Sequence, residues 1–473
     1  MKVRRTTSRV VAVVVSVGVL GGACASDGGG ALTETTAPTT RPDARHTFPP
    51  APAVPAGDVA AAAATRAFDR IVDGFAMSGS TTSGLDDLVA AGDARHAWLV
   101  SDLLRFTADR DDFDRLVAAF VELTGIDPTR DPSFADSPWR SVTDHLIAWD
   151  LPAPPAYRAS KGRLFTLIDE RWAPFFADTD AAIDWRLLSW GGVRLDDRPL
   201  GDPAPCARGC IPALDDPVLT AASEGVWYPD EALVFGVREG NEVVALPKHM
   251  MEVHELVNMT IGGRRFAIPY CTLCGSAQAY YTDTMPAGVE VPVLRTSGLL
   301  SRSNKVMFDL VTMSVFDTFT GEAVSGPLQD AGVALTQTTV TVTTWGEWRD
   351  AHPETTIIAR DGGIGRQYPL DPLRGRDDDG PIFPIGDTDE RLPVQTEVLG
   401  VITADGTPVA FPADAARRAL GAGDDVGFGG VELTLDGGGL RAHDGAGVEL
   451  AAHEAFWFAW SQFHPRTELW QPG

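Results

Sequence analysis

The chain has 473 residues, 44% of them hydrophobic, and 65 acidic against 39 basic residues give a formal net charge of −26. That apolar content is ample for a core, and the length asks for more than one folding unit at a prior of about 150 residues each. The acidity argues against nucleic-acid binding, which needs clustered cations to displace counterions from phosphates, and no basic patch follows the extreme N-terminus.

The chain opens with Lys2, Arg4, Arg5 and Arg9, followed by an apolar run over residues 10–20. The run is too short to span a bilayer, which takes about 20 apolar residues, and it reads as an export signal. It ends in Leu20-Gly21-Gly22-Ala23-Cys24, which resembles a bacterial lipobox. Gly21 stands where leucine is usual. Residues 1–24 are therefore expected to be a lipoprotein signal peptide, with Cys24 acylated and the mature chain anchored on the extracytoplasmic face of the cell membrane. An ordinary signal cut near Ala23 or Ala25 is the alternative. Residues 25–57, rich in Gly, Thr, Pro and Ala, predict a disordered tether.

Residues 58–200 carry helical periodicity. Phe68, Ile71, Val72 and Phe75 recur at i, i+3, i+4 and i+7, and Phe113, Leu116, Val117 and Phe120 repeat that spacing. Leu99, Leu103 and Phe106 fit a helix between them, and Gly125 with Pro128 gives a stop. The expectation is a bundle or short helix-pair repeats, with Trp139, Trp149, Trp172, Trp185 and Trp190 as packing residues.

From residue 205 the texture turns to strand. Apolar runs at 233–237 and 242–246 flank Arg238-Glu239-Gly240-Asn241, a hairpin signal. Further strands are expected at 265–270, 291–295, 340–343 and 432–435, and a helix at 451–462. The fold class is α+β, a helical N-terminal domain over 58–200 followed by a β-rich domain over 205–473.

Eight segments in this second half carry a resemblance. They are IPALDDP from Ile211, VHELVNMTIGG from Val253, YCTLCGSA from Tyr270, SGLLSRSNKVMFD from Ser297, TGEAVSGPL from Thr320, TWGEWRDAHPETTII from Thr344, RLPVQTEVLGV from Arg391 and FWFAWSQFHPRTELW from Phe456. In this order they resemble a widespread bacterial family designated domain of unknown function 3179. The resemblance implies a fold unit and a site, and no reaction. Thr272 stands where the family usually has proline. His249, Met250, Met251 and Val253 stand where it has apolar residues and tryptophan. Cys206 and Cys210 lie outside its pattern.

With Cys24 assigned to lipid, four cysteines remain. Cys271-Thr272-Leu273-Cys274 follows a strand, and such a turn brings two sulfurs together. A metal site, a redox-active pair and a structural disulfide are all open to it. His254, seventeen residues before Cys271, is the candidate third ligand, brought back by a turn at Gly262-Gly263. Two thiolates and an imidazole suit copper or zinc. The alternatives are a thiol–disulfide oxidoreductase using Cys271 and Cys274, and a non-catalytic interaction module with structural disulfides. His254-Glu255 begins a two-histidine zinc motif that Asn258 breaks. His249, Met250, Met251 and Met259 resemble a copper cluster on paper but read first as core. Cys206 and Cys210 predict a local disulfide, with a four-sulfur site beside Cys271 and Cys274 as the sharper alternative. Arg295, Ser297, Arg302 and Asn304 flank a Ser-Gly turn and are candidate contacts to an anion or polar ligand. Asp371, Asp377, Asp378, Asp379, Asp387 and Asp389 sit in a loop-rich stretch with no defined calcium spacing.

Overall fold

The computed structural model describes residues 48–472, apart from 58–60, 81–82 and 376–379. The signal segment, Cys24 and the tether as far as residue 47 lie outside the described residues, as do Asp377, Asp378 and Asp379. No helix among the described residues is long and apolar enough to cross a membrane.

Residues 48–57 form no helix or strand, yet they are held from Phe48 onward. The Phe48 ring meets His145 edge-on at 5.1 Å, and Trp149 Nε1 donates to Pro49 O at 2.7 Å. The expected tether therefore gives way to docked chain before residue 57. The helices follow at Ala61–Ser78, Leu85–Ala90, Ala97–Phe106, Arg110–Thr124, Pro138–Ala148, Tyr157–Ile168 and Ala173–Ala177. Their boundaries have local causes. The Asp109 side chain accepts from the Asp111 and Asp112 amides and caps Arg110–Thr124, and Gly125 in the left-handed region closes it. Phe68, Ile71 and Val72 are buried, as their spacing predicts, and so are Leu116 and Phe120.

The β-rich part is a set of small sheets. Strands Leu188–Trp190, Leu294–Ser301, Asn304–Asp309 and Val315–Asp317 form one antiparallel sheet in that order. A second runs through Thr336–Thr338, Ala279–Tyr281, Arg264–Cys271, Leu256–Ile261 and Leu214–Asp215, with Ser276–Ala277 pairing to the end of Arg264–Cys271. The predicted hairpin is present as Leu233–Glu239 and Glu242–Pro247. The Gly262-Gly263 turn joins Leu256–Ile261 to Arg264–Cys271. The helix expected over 451–462 is half strand. Ala452–Phe456 pairs with Glu397–Ile402, and only Trp457–Phe463 is helical. A run of apolar residues does not separate a buried strand from a buried helix, which is why the boundary was missed.

The helices and the first sheet share one apolar core. Leu299, Val306, Phe308 and Val315 belong to the same cluster as Phe68, Leu103, Leu164 and Phe175. The Phe175 and Phe308 rings lie 5.7 Å apart, and Trp172 Nε1 donates to Ser297 O at 2.8 Å. Further out, the Arg105 guanidinium lies over Trp139 at 4.6 Å, Trp190 at 5.2 Å and Phe383 at 5.5 Å. Asp144 accepts the amides of Ile385 and Gly386, each at 2.7 Å, so the loop carrying Phe383 is fastened to helix Pro138–Ala148.

Phe308→Ala should then cost about 3–5 kcal/mol, the usual range for emptying a buried phenylalanine site. Chemical denaturation followed by circular dichroism should show helical and aromatic signals shifting together. A shift confined to one signal would contradict the shared core.

Candidate functional site

The sequence supplies the dithiol turn directly. Strand Arg264–Cys271 ends at Cys271, the Cys274 amide donates back to Cys271 O at 3.2 Å, and Cys271 pairs with Ser276. Gly275 closes the turn at φ +59°, and a Cβ there would stand 3.0 Å from the Phe456 ring. Glycine is therefore required twice, for its backbone and for its lack of side chain. Both cysteines are free thiols, 1% and 0% exposed. Their sulfurs converge on one acceptor, the carbonyl of Ser303, at 3.9 Å from Cys271 and 3.4 Å from Cys274.

Ser303 sits in the two-residue loop between Leu294–Ser301 and Asn304–Asp309. Such loops need positive φ at both positions, a demand usually met by Asn-Gly. Here Arg302 has φ +51° and Ser303 φ +63°. Left-handed conformations at non-glycine residues store of order 1–3 kcal/mol each and concentrate at functional sites. The Ser303 hydroxyl donates to Pro384 O at 2.7 Å, which pins the loop.

Two residues past that loop stands Lys305, 5% exposed. Its ammonium donates to the carbonyl of Glu255 and lies 3.9 Å from the Glu255 carboxylate. Glu255 is itself held at φ +52° just after helix Lys248–His254, and its carbonyl also accepts the Tyr270 amide at 2.8 Å. Thr272 Oγ1 lies 3.4 Å from the Glu255 carboxylate. Cys271, Thr272, Glu255 and Lys305 line one cavity of about 290 Å³, whose remaining walls include Leu273, Leu299, Leu300, Ile382 and Phe383.

Electrostatics make the two sulfurs unequal. Burial pushes the Cys271 thiol up, and Glu255 adds to that push. A hydrogen bond from Cys274, the backbone N–H of Lys305 and the Lys305 charge outweigh it and hold Cys271 below the usual thiol value. Burial and the neighbouring Cys271 drive Cys274 well above it. Burial also draws the Lys305 ammonium down to about 8, against the pull of Glu255 and Cys271, and raises Glu255.

His254 is elsewhere. Its Nδ1 faces Pro212 O at 2.6 Å, so that nitrogen carries the proton, and Nε2 accepts from Tyr368 Oη at 2.7 Å. Burial lowers its pKa to about 4. His254 lines a different cavity, with Arg198, Asp215 and Arg366. Among the described residues, His254, Cys271 and Cys274 do not form a group of ligand atoms within 4.8 Å of one another. Asp196, Cys206 and Cys210 do. The Gly262-Gly263 hairpin brings the backbone back as expected, but the left-handed step at Glu255 sends the Glu255 carboxylate to the cysteines and leaves the imidazole on the far side.

Cys206 and Cys210 form a disulfide. The four-sulfur alternative falls with it, because these sulfurs are spent on each other. The staple lies against Asp196, which accepts the Ala213 amide at 2.9 Å and pairs with Arg198 at 2.8 Å. Arg295, wholly buried, is committed to Asp215 through two contacts of 2.9 and 2.8 Å, so it is a structural ion pair. Ser297 lines the dithiol cavity but donates its hydroxyl to Val306 O. Arg302 lines another cavity with Asp184, Asp317 and Glu322. Asn304 is 1% exposed and its amide meets no partner among the described residues. Met250, Met251 and Met259 fill apolar core with Val257 and Ile268, and His249 stacks on Tyr228 at 4.9 Å. Asp371 accepts the Arg374 amide and Asp389 pairs with Arg391 at 2.6 Å.

The family model described as protein of unknown function (DUF3179) matches residues 208–446, just over half of the chain, with every residue of the dithiol cavity corner inside it. The chain belongs to this family. No curated protein and no solved structure matches it. The DUF3179 segment thus contributes Glu255, Cys271, Thr272, Cys274 and Lys305, whereas Gly191 and Val193 of the cavity wall lie outside it. Lys305 was the residue that sequence reading passed over. It lies inside SRSNKVMFD, and a lone lysine in a strand that reads apolar from Val306 onward was the available signal.

Iodoacetamide should alkylate Cys271 ahead of Cys274, and Lys305→Met should move the midpoint of Cys271 alkylation to higher pH. Removing the cation leaves only the Cys274 hydrogen bond and the backbone N–H at position 305 against burial and Glu255, so the thiol gives up its proton later. Peptide mass spectrometry across a pH series reads both. Equal labelling of the two sulfurs would contradict the asymmetry.

Proposed function

We propose that Cys271 and Cys274 are a thiol–disulfide redox pair, with Cys271 as the attacking thiolate and Cys274 as the resolving thiol. The observation that carries this reading is Lys305, a buried cation whose charge and backbone N–H both act on Cys271. Thiolate is the nucleophilic form, and a neighbouring cation is the usual means of populating it. In exchange with a disulfide, Cys271 attacks one sulfur of the substrate, the substrate S–S bond breaks, and a substrate thiolate leaves. Cys274 then attacks Cys271, closing the Cys271–Cys274 bond and releasing the second substrate thiolate. The substrate disulfide gains two electrons and the pair loses two.

Copper or zinc binding is the other chemistry of such a turn. It is less well supported, because Lys305 already supplies the positive charge that an ion would bring to the sulfurs. A His254 ligand would also have to abandon both Pro212 and Tyr368. The Cys206–Cys210 disulfide supports an address in an oxidising compartment, in keeping with the expected export signal and lipid anchor. On that reading, Cys24→Ser should release the chain from the membrane fraction or leave it unprocessed. An equally processed and equally membrane-bound variant would remove the anchor from the account.

Purified protein equilibrated in thiol/disulfide buffers of graded potential should interconvert the Cys271/Cys274 dithiol and disulfide reversibly at one midpoint, followed by differential alkylation. Cys274→Ser should accumulate a mixed disulfide on Cys271. The reading fails if the pair stays reduced throughout, or if metal analysis finds one ion per chain that is lost in Cys274→Ser.

A further inference from the structure

The cavity limits what Cys271 can meet. Cys271 is 1% exposed and forms part of the wall of a space of about 290 Å³. That lies at the bottom of the range of about 300–1,000 Å³ typical of small-molecule sites. A disulfide on a folded protein cannot enter it. The walls are apolar at Leu273, Leu299, Leu300, Ile382 and Phe383. The hydroxyls there are already used, Thr296 donating to Ile211 O at 2.6 Å and Ser297 to Val306 O at 2.5 Å. The Glu252 carboxylate, also on the wall, is paired with Lys248, so the polar groups left for chemistry form one corner of Cys271, Thr272, Glu255 and Lys305.

That corner holds a nucleophile and a proton donor, with the second thiol, Cys274, directly behind the nucleophile. A departing thiolate needs no proton, because its conjugate acid has a pKa of about 8.5. A departing alkoxide is far more basic and does need one. The lysine is therefore equipment for cleaving a bond to oxygen. The second thiol is equipment for a two-electron cycle, which acyl transfer would not use. Resting on the redox reading above, we infer that the cavity takes a small organic hydroperoxide with an apolar body, and that Cys271 reduces it to the alcohol.

The Cys271 thiolate attacks the terminal oxygen of R–O–O–H and the O–O bond breaks. The sulfur becomes a sulfenic acid, S–OH. The leaving R–O⁻ takes a proton from the Lys305 ammonium and departs as ROH. Cys274 then attacks the sulfenic sulfur, its own proton leaves with the hydroxyl as water, and the Cys271–Cys274 disulfide closes. The peroxide gains the two electrons that the dithiol loses. Two equivalents of a small external thiol reduce the disulfide and leave as their own disulfide, and Lys305 takes a proton back from solvent.

The test is single-turnover oxidation of the reduced full chain by cumene hydroperoxide. One equivalent should be consumed, with loss of the Cys271 and Cys274 thiols and release of one equivalent of the alcohol. The reaction should outrun hydrogen peroxide by roughly tenfold or more, since only the organic substrate buries apolar surface against the walls. Cys274→Ser should stop at a sulfenic acid on Cys271 that dimedone captures. Lys305→Met, assayed at pH 7 with each rate divided by the thiolate fraction read from that protein's own alkylation titration, should slow cumene hydroperoxide by about 10²-fold, the usual scale of general-acid catalysis. It should slow peracetic acid much less, because a carboxylate leaves without a proton, and a purely structural lysine would not change that ratio. If the pair cycles in thiol/disulfide buffers but reacts with cumene hydroperoxide no faster than free cysteine does, the hydroperoxide inference falls and the redox reading stands. If the pair is inert to both, the two fall together.

Discussion

A buried ammonium must be matched, and the Lys305 corner is organised around that demand. Removing a lysine head from water costs several kcal/mol unless hydrogen bonds and opposite charge replace the solvent. Here the Glu255 carbonyl, the Glu255 carboxylate and the Cys271 sulfur supply the replacement. Unusual backbone steps surround these groups. Glu255 takes a left-handed conformation directly after a helix, Ser303 sits in a left-handed hairpin loop, and Gly275 turns the chain against Phe456. Strain at these positions makes sense if the surrounding structure must hold one thiolate and one cation in a fixed relation.

The cationic partner also explains why two cysteines of one turn behave differently. Cys271 shares the cavity wall with Lys305 and is held below the usual thiol value, while Cys274 lies behind it in a cluster with Phe319, Trp457 and Trp460. A symmetrical pair would suit ion binding equally from both sulfurs. The asymmetry suits sequential chemistry, in which one sulfur attacks and the other follows.

Much of this was legible in the sequence, and the losses have identifiable causes. Helical periodicity located Phe68, Ile71 and Val72 on a buried face. Apolar runs around Gly240 located a hairpin. The C-x-x-C spacing located the dithiol turn, and the C-x-x-x-C spacing located a disulfide. His254, expected beside the dithiol, faces Pro212 and Tyr368 in another cavity, because spacing along the chain says where a backbone returns and not which of two adjacent side chains faces inward. A single left-handed residue, Glu255, inverts that choice, and nothing in His254-Glu255 announces it. Arg295 was read as a ligand contact because guanidinium groups bind anions. The anion it binds is Asp215, eighty positions away in the chain, a pairing that only the tertiary structure reveals.

The helical half enters the same argument through the cavity wall. The family segment begins at residue 208, yet Gly191 and Val193 line the dithiol cavity, and Phe383 reaches it from a loop fastened to Asp144. Arg105 completes that fastening by lying over Trp139, Trp190 and Phe383 at once. Burial lowers this guanidinium only to about 10, so it stays charged in the neutral range and the aromatic faces receive a cation throughout. The tryptophans of the helical half, read from sequence as packing residues, thus hold one wall of the site from outside the family segment. It follows that the cavity wall is built by both halves of the chain, while Cys271, Cys274 and Lys305 belong to the family segment alone. The shape of that wall can therefore vary with the helical half without disturbing the corner of Cys271, Glu255 and Lys305.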